Sequence, residues 1–174
     1  MEVKEEKLMK KLITYLLCAL PVFGQLAHVQ AAEIEVKWSN SDKYDDIDAA
    51  GEHRKHFKDR VFKSFEKHFT KVAAALPENH KLIIDVTNMD LAGDVNFGGI
   101  KRIRIIKDIF FPRMEFSYQL LNAENDVVKS ADVSLKDMGF LMNSRLKYNS
   151  KSFGYEKEMF DVWFKKTFVN DLVK

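Results

Sequence analysis

Alternation of apolar and polar residues along several short segments constrains the fold more than any other feature of this sequence. In residues 113–121 every second residue from Met114 to Leu120 is apolar and the residues between them are polar, and a similar period of two recurs in 33–39, 81–88, 101–108 and 127–135. Because side chains alternate between the two faces of a strand, each segment would have one dry face and one wet face. Strands of a parallel sheet covered on both sides are apolar throughout. The pattern therefore predicts a mostly antiparallel sheet of about five strands with one face exposed to solvent.

Two longer segments, 51–75 and 155–173, have apolar residues at helical spacing. Pro77 ends the first of them. The first strand, this helix and the second strand would form one crossover, which makes the two strands parallel. We therefore predict a two-layer α+β domain, with both helices packed on one face of the sheet. The apolar stripe of the first helix is predicted to contain Phe57, Val61, Phe65, Phe69, Val72 and Leu76.

The N-terminal part of the chain is typical of a cleavable secretory signal. An apolar run from Leu12 to Phe23 follows two lysines and is too short to span a bilayer, which needs about 20 residues. The following residues end in Val29-Gln30-Ala31, which suits signal peptidase. We therefore expect cleavage after Ala31, a periplasmic location, and a single mature domain over residues 32–174 with no transmembrane segment.

Alternatives remain open at this end of the chain. Acidic residues at positions 2, 5 and 6 are unusual before a signal sequence, so Met9 competes with Met1 as the start of translation. Cys18, the only cysteine, is preceded by two leucines where a lipoprotein signal requires small residues, which disfavours lipidation. A buried N-terminal helix is the other alternative. One cysteine also excludes a disulfide framework.

Common catalytic and cofactor motifs are missing or incomplete. The net charge of +2 excludes binding of nucleic acid by bulk charge. The glycine-rich run 93–100 lacks the lysine of a phosphate loop. The run starting at Asp46 lacks two of the oxygens of a calcium loop. His53 and His56 have the spacing of metal ligands, but no third ligand lies near them in sequence. We therefore predict no catalytic residue, cofactor or metal.

A basic segment, 101–113, offers one candidate binding site. It holds five basic residues and one acidic residue, a local charge of +4. The candidate binding residues are Arg102, Arg104, Lys107 and Arg113. On the strand interpretation Arg102 and Arg104 project together from the exposed face of the sheet. They either protect an edge strand from aggregation or make a weak contact with an anionic surface, such as lipid headgroups or an acidic partner.

Three carboxylates, Asp90, Asp94 and Asp137, form an alternative site beside Lys136 or Arg113. Such a site would make the protein an enzyme, and it requires the carboxylates to share one concave pocket with a raised pKa. Carboxylates of this kind are also common in helix caps and loops. The favoured interpretation is a non-catalytic envelope protein that binds an unknown partner or ligand.

Several segments together resemble a known family. They are WSNSDKYDDI (38–47), DVTNMDLAGDV (85–95), RIIKDIFFPRMEFSYQLL (104–121), LKDMGFL (135–141) and YEKEMFDVWFKKTF (155–168). In these segments the chain, over Glu33 to Val169, resembles the bacterial exported family catalogued as domain of unknown function 3016. The resemblance implies a periplasmic protein of Gram-negative bacteria, and it supplies no catalytic residues.

Overall fold

A four-stranded mixed sheet carries the helices on one of its faces. The computed structural model describes residues 31–98, 100–143 and 146–169. The strands are β1 (Glu33–Trp38), β2 (Lys81–Asp90), β3 (Asp94–Asn96), β4 (Ile103–Ile105), β5 (Arg113–Leu121) and β6 (Val127–Lys136). The helices are α1 (Arg54–Ala73), α2 (Phe140–Asn143), α3 (Leu146–Asn149) and α4 (Gly154–Phe164), and α4 continues into a π-helical turn (Lys165–Val169). The predicted signal peptide and its alternatives lie outside the described residues.

The strands run in the order β1-β2-β5-β6. β1 pairs with β2 in parallel, and the other two pairs are antiparallel. This arrangement confirms the predicted α+β class and the mostly antiparallel sheet. The prediction that residues 101–108 form a strand of this sheet is wrong. Only Ile103–Ile105 is a strand, and it pairs with β3 in a separate two-stranded ribbon.

Helix α1 packs on the sheet through one stripe of large side chains. Phe57, Val61, Phe65 and Phe69 are buried, as predicted from their spacing, whereas Val72 is only half-buried and Ala73 takes the inner position. The helix begins at Arg54, later than the sequence suggested, and His53 at its N-cap makes no side-chain capping bond. Burial of each large side chain contributes about 1.5–3 kcal/mol, so this stripe carries much of the stability.

Helix α4 covers the same face of the sheet beside α1. The Phe160 ring lies 4.2 Å from the Phe69 ring of α1. Trp163 meets Phe116 of β5 edge to face, with ring centroids 4.8 Å apart. Phe116 and Tyr118 are buried beneath these aromatic rings, and Val133 of β6 is half-buried against them. Both helices therefore lie on one face, in agreement with the predicted two layers.

Strand β6 is one of the two edge strands of the sheet, and this position limits what it can bury. Ala131 pairs with the inward-facing Tyr118 in the β5–β6 ladder, yet it is exposed. The period of two in 127–135 would place Ala131 against the helices together with Val133, and for Ala131 that expectation is wrong. An edge strand has a neighbour on one side only, and the helices do not extend over it at this point.

A β-bulge in β2 shifts the alternation of its side chains. Leu82, Ile84 and Val86 face the core, but the register with β5 slips between Val86 and Asn88, and Met89 is then the next buried residue. One extra residue moves every later side chain to the opposite face. Asp90 is thereby directed away from the apolar core.

The helices of the described part of the chain are also informative about membranes. None of them combines the length and the apolar character needed to cross a bilayer.

Candidate functional site

A cavity of about 340 Å³ opens between the loop after β1, the end of β2 and the β3–β4 ribbon. Its acidic lining residues are Asp45, Asp46, Asp48, Asp90 and Asp94. Its apolar wall consists of Val95, Phe97, Ile109, Phe110 and Phe111. Arg113 is the one basic residue in the lining. We call this the acidic cavity, and its size is within the range of small-ligand sites.

The loop after β1 is held against the end of β2 by backbone and side-chain bonds. Asp46 forms an isolated parallel bridge with Asp90, and the Leu91 N–H donates to the Asp46 carbonyl at 3.1 Å. Asn88 clamps Asp45: its amide nitrogen donates to the Asp45 carboxylate at 2.7 Å, and its amide oxygen accepts the Asp45 N–H at 3.0 Å. The bulge that turns Asn88 and Asp90 outward therefore also places the acidic loop.

Arg104 of β4 joins the ribbon to the loop after β1 through hydrogen bonds. Its Nη1 and Nη2 atoms donate to the two oxygens of Asp46 at 2.7 and 3.0 Å. The same guanidinium donates to the carbonyls of Gly93 at 2.8 Å, Asp48 at 3.0 Å and Leu91 at 3.3 Å. Bidentate pairing of this kind is among the strongest polar contacts in proteins. Arg104 thus holds the backbone that forms the cavity.

This position corrects the predicted basic surface. Arg102 and Arg104 were expected to project together from the exposed face of the sheet, and that prediction is wrong. Strand β4 is not part of that sheet, and only 18% of the Arg104 side chain is exposed. Arg102 and Lys107 do lie exposed, just before and just after β4, with Arg102 stacked over the Phe97 ring at 5.2 Å. A binding role for these residues stays a prediction.

Gly93 allows the ribbon to pack closely on the cavity. Its φ of 83° lies in the left-handed region, and a Cβ added there would lie 2.6 Å from the Ile105 carbonyl oxygen. The Gly93 N–H donates to the Phe110 carbonyl at 2.9 Å. Any larger residue would push β4 and the segment before β5 away from the cavity.

Asp90 is the carboxylate of the cavity with the most perturbed ionisation. Burial, followed by the negative charge of Asp46, raises its pKa to about 6, although Arg113 opposes the shift. The Arg113 Nε atom lies 3.8 Å from the Asp90 carboxylate, too far for a strong hydrogen bond, and its guanidinium lies over the Phe111 ring. Asp90 is therefore a carboxylate whose charge is incompletely matched.

Two of the three predicted carboxylates meet in the acidic cavity, and one does not. Asp90 and Asp94 both line it, with Arg113. Asp137 lines a different cavity beside Lys136, and its carboxylate accepts the Gly139 N–H at 3.0 Å. The predicted three-carboxylate site is therefore not assembled.

Sequence reasoning missed the contribution of the loop after β1. Asp45, Asp46 and Asp48 looked like a solvated loop or an incomplete calcium loop. The bridge to Asp90 joins residues 44 positions apart in sequence, and no local pattern indicates it. The high density of aspartates in 45–48 was the available signal.

A buried glutamate supports the cavity from the side of α4. Glu156 is 2% exposed, and its Oε1 atom accepts the Ala92 N–H at 2.7 Å. Its Oε2 atom has no hydrogen-bond partner among the described residues. Burial raises the pKa of Glu156, although the bond from Ala92 opposes that shift. This side chain ties α4 to the segment before Gly93.

The described residues also bear on metal binding. Across residues 31–98, 100–143 and 146–169, no three His, Cys, Asp or Glu side chains converge closely enough to hold a metal ion. The rings of His53 and His56 do lie near each other, with centroids 5.3 Å apart.

These features define a two-layer α+β protein with an acidic cavity at the end of its central strand pair. The chain belongs to the family described as Protein of unknown function (DUF3016), whose profile matches residues 32–166, and the predicted resemblance is confirmed. No curated protein matches the sequence, and no solved structure matches the chain.

Proposed function

We propose that this protein is a non-catalytic, exported binding protein of the bacterial envelope, and that its acidic cavity receives a protonated amine or guanidinium group of its ligand. The observation that carries the proposal is the charge of the cavity. Five aspartates line it against one arginine, a formal charge of −4 when all of these groups are ionised. Arg104 neutralises the charge of Asp46, and the negative charge of the other four aspartates still exceeds the positive charge of Arg113.

The walls of the cavity indicate what kind of group would adjoin the positive charge of the ligand. Phe97, Phe110 and Phe111 line it with Val95 and Ile109, so a ligand would place an apolar part against them. The chemistry is that of an organic cation with an apolar neighbour, as in a basic side chain flanked by apolar residues of a partner.

Binding of such a ligand would be coupled to the ionisation of Asp90. A cation favours the charged carboxylate, so it would lower the pKa of Asp90 from about 6 and release a proton. Affinity would therefore increase as the pH rises from 5 to 7.5.

The test is calorimetry of the mature protein with an end-blocked Phe-Arg-Phe peptide, with Phe-Glu-Phe as the matched probe. We expect only the arginine peptide to bind, and Asp90→Asn to weaken it about tenfold, the effect of losing one charged contact. Asp137→Asn is the control, because Asp137 lies outside the cavity. Equal binding of both peptides, or an Asp90→Asn variant that binds like wild type, would overturn the proposal.

Export is a separate part of the proposal. It is supported by the short apolar run Leu12–Phe23 and the Val29-Gln30-Ala31 sequence that follows. The intact mass of the protein from a periplasmic fraction tests it. We expect an N-terminus at Ala32. A mass that still includes residues 12–23 would contradict cleavage.

A second candidate function is carboxylate-based catalysis, favoured by the pKa of Asp90. A carboxyl with a pKa of about 6 that shares a cavity with Asp94 can act as a general acid near neutral pH. Turnover of a cationic substrate by wild type, lost in both Asp90→Asn and Asp94→Asn, would favour an enzyme. Binding without turnover would favour the first proposal.

A further inference from the structure

A second cavity, of about 260 Å³, has the opposite charge. It lies between α1, the segment around α3, and α4 with its π-helical turn. Its basic lining residues are Lys71, Lys147, Lys151 and Lys165, and its one carboxylate is Asp161. The formal charge is +3 with His68, a further lining residue, counted as neutral. We call this the basic cavity.

The carboxylate of the basic cavity is already satisfied by neighbouring donors. The His68 ring lies with Nε2 2.7 Å from Asp161 Oδ1, and the Tyr148 hydroxyl donates to Oδ2. Burial works against ionisation of Asp161, but these hydrogen bonds outweigh it, and the pKa of Asp161 lies below its ordinary value. Asp161 therefore serves to orient His68 and Tyr148, and it leaves most of the lysine charge uncompensated.

Two of the lysines contact the ring of Tyr148. Lys147 Nζ lies 4.5 Å and Lys151 Nζ 5.3 Å from its centroid, and Lys147 is 3.9 Å from Asp161 Oδ2. Within the described part of the chain, Lys71 and Lys165 have no acidic partner. The four lysines line one cavity, and their combined positive charge would attract a bound anion.

The remaining wall is apolar. Val72, Ala75, Phe164 and Val169 line the cavity between the lysines. Phe164 is fully buried, so the accessible part of this wall is formed by Val72, Ala75 and Val169. A phosphate or sulfate ion alone would leave this surface unused, whereas a ligand with an alkyl part would cover it.

We propose that the basic cavity binds an anionic amphiphile, with a carboxylate or phosphate head group held by the lysines and an alkyl chain lying on the apolar wall. This site is separate from the acidic cavity and does not depend on the function proposed for it. The two cavities have no lining residue in common.

The experiment is calorimetry of the mature wild-type protein with decanoate and with decyl phosphate. Decyltrimethylammonium, which has the same chain and the opposite charge, is the matched probe. We expect both anions to bind, more weakly at high salt, and Asp90→Asn to leave their binding unchanged. Any binding of the cation belongs to the acidic cavity, so Asp90→Asn should weaken it. The stronger of the two anions identifies the head group. Absence of binding by both anions, or a cation that binds the Asp90→Asn variant as tightly as the anions do, would overturn the proposal.

Two double variants locate the binding. Lys147→Gln/Lys151→Gln removes two lining charges, and we expect it to weaken anion binding at least tenfold, which is about 1.4 kcal/mol or more. Lys63→Gln/Lys67→Gln removes two exposed charges of α1 that do not line the cavity, and we expect it to bind as wild type does. Because all four lysines are at the surface, both variants should fold. Equal behaviour of the two variants would place the anion elsewhere and overturn the site.

Discussion

Arg104 and Asp46, 58 residues apart in sequence, form a bidentate ion pair with distances of 2.7 and 3.0 Å. Both side chains are about four-fifths buried, and Arg104 also donates to four backbone carbonyls around the cavity. The pair joins the ribbon to the loop after β1. The acidic cavity therefore depends on a contact between two charged residues that are far apart in sequence.

Removing one partner of this pair should be costly. Arg104→Met leaves the Asp46 carboxylate and several carbonyls without a donor, so we expect a loss of about 3–5 kcal/mol in the free energy of unfolding. Arg102→Met, two residues earlier and exposed, should cost less than about 0.5 kcal/mol. Urea denaturation of the two variants measures the difference. Equal small losses would show that the ion pair does not hold the ribbon.

Asp90→Asn should stabilise the protein at neutral pH. The pKa of Asp90 rises from about 3.8 to about 6 on folding, so folding favours its protonated form. That favourable contribution is fully present below about pH 3.8 and is lost as the pH rises through about 6. Asparagine mimics the protonated form at every pH. We expect the variant to exceed wild type by about 1–3 kcal/mol at pH 7.5 and by little at pH 4. Urea denaturation at pH 7.5 and at pH 4 measures this difference. A gain in stability that is the same at both pH values would contradict ionisation of Asp90 as its cause.

The face assignment of β5 can be tested by neighbouring substitutions. Phe116 is 2% exposed and contacts the rings of Phe160 and Trp163, so Phe116→Ala should cost about 3–5 kcal/mol. Ser117, on the other face, should tolerate alanine with a loss below about 0.5 kcal/mol. Equal shifts of the urea midpoint in the two variants would be incompatible with the structure.

The two-layer fold could be predicted because its signal is local. Each strand of the main sheet shows its dry face in the period of its own residues, and Phe57, Val61, Phe65 and Phe69 show theirs at helical spacing. These patterns reflect only which face of each strand or helix is apolar, and that face can be identified from the residues of the element itself.

The ribbon and the acidic cavity could not be predicted in the same way. Ile103 and Ile105 alternate with Arg102 and Arg104 as sheet residues do, yet the strand pairs with β3, whose three residues carry almost no pattern. The bulge at Thr87 is equally hidden, and it decides where Asp90 lies. Both features depend on pairings between distant segments, and the polar residues that make them look like ordinary surface residues in the sequence.

The last prediction concerns the exposed side of the ribbon. Lys101, Arg102 and Lys107 are exposed there. The exposed large apolar side chains beside them that do not line the acidic cavity are Ile100, Ile103 and Ile106. Three basic residues near an anionic membrane contribute about 3 kcal/mol, which alone gives weaker than millimolar affinity. Each apolar side chain that enters the interface would add up to about 1.5–3 kcal/mol. We therefore expect the mature protein to co-sediment with vesicles of anionic phospholipid at low salt, and less so at high salt.

The variants for this test follow from the structure. Arg102→Ser/Lys107→Ser should reduce co-sedimentation, because both residues are exposed on the ribbon, whereas Arg104 is left intact because it holds the cavity together. Lys55→Ser/Lys63→Ser removes the same charge from the exposed side of α1 and serves as the control. Ile100→Ser should lower the fraction bound at both salt concentrations, since its contribution is apolar. If the ribbon and control variants sediment alike at low salt, the basic residues of the ribbon serve to keep a short strand pair from aggregating, and the membrane contact is wrong.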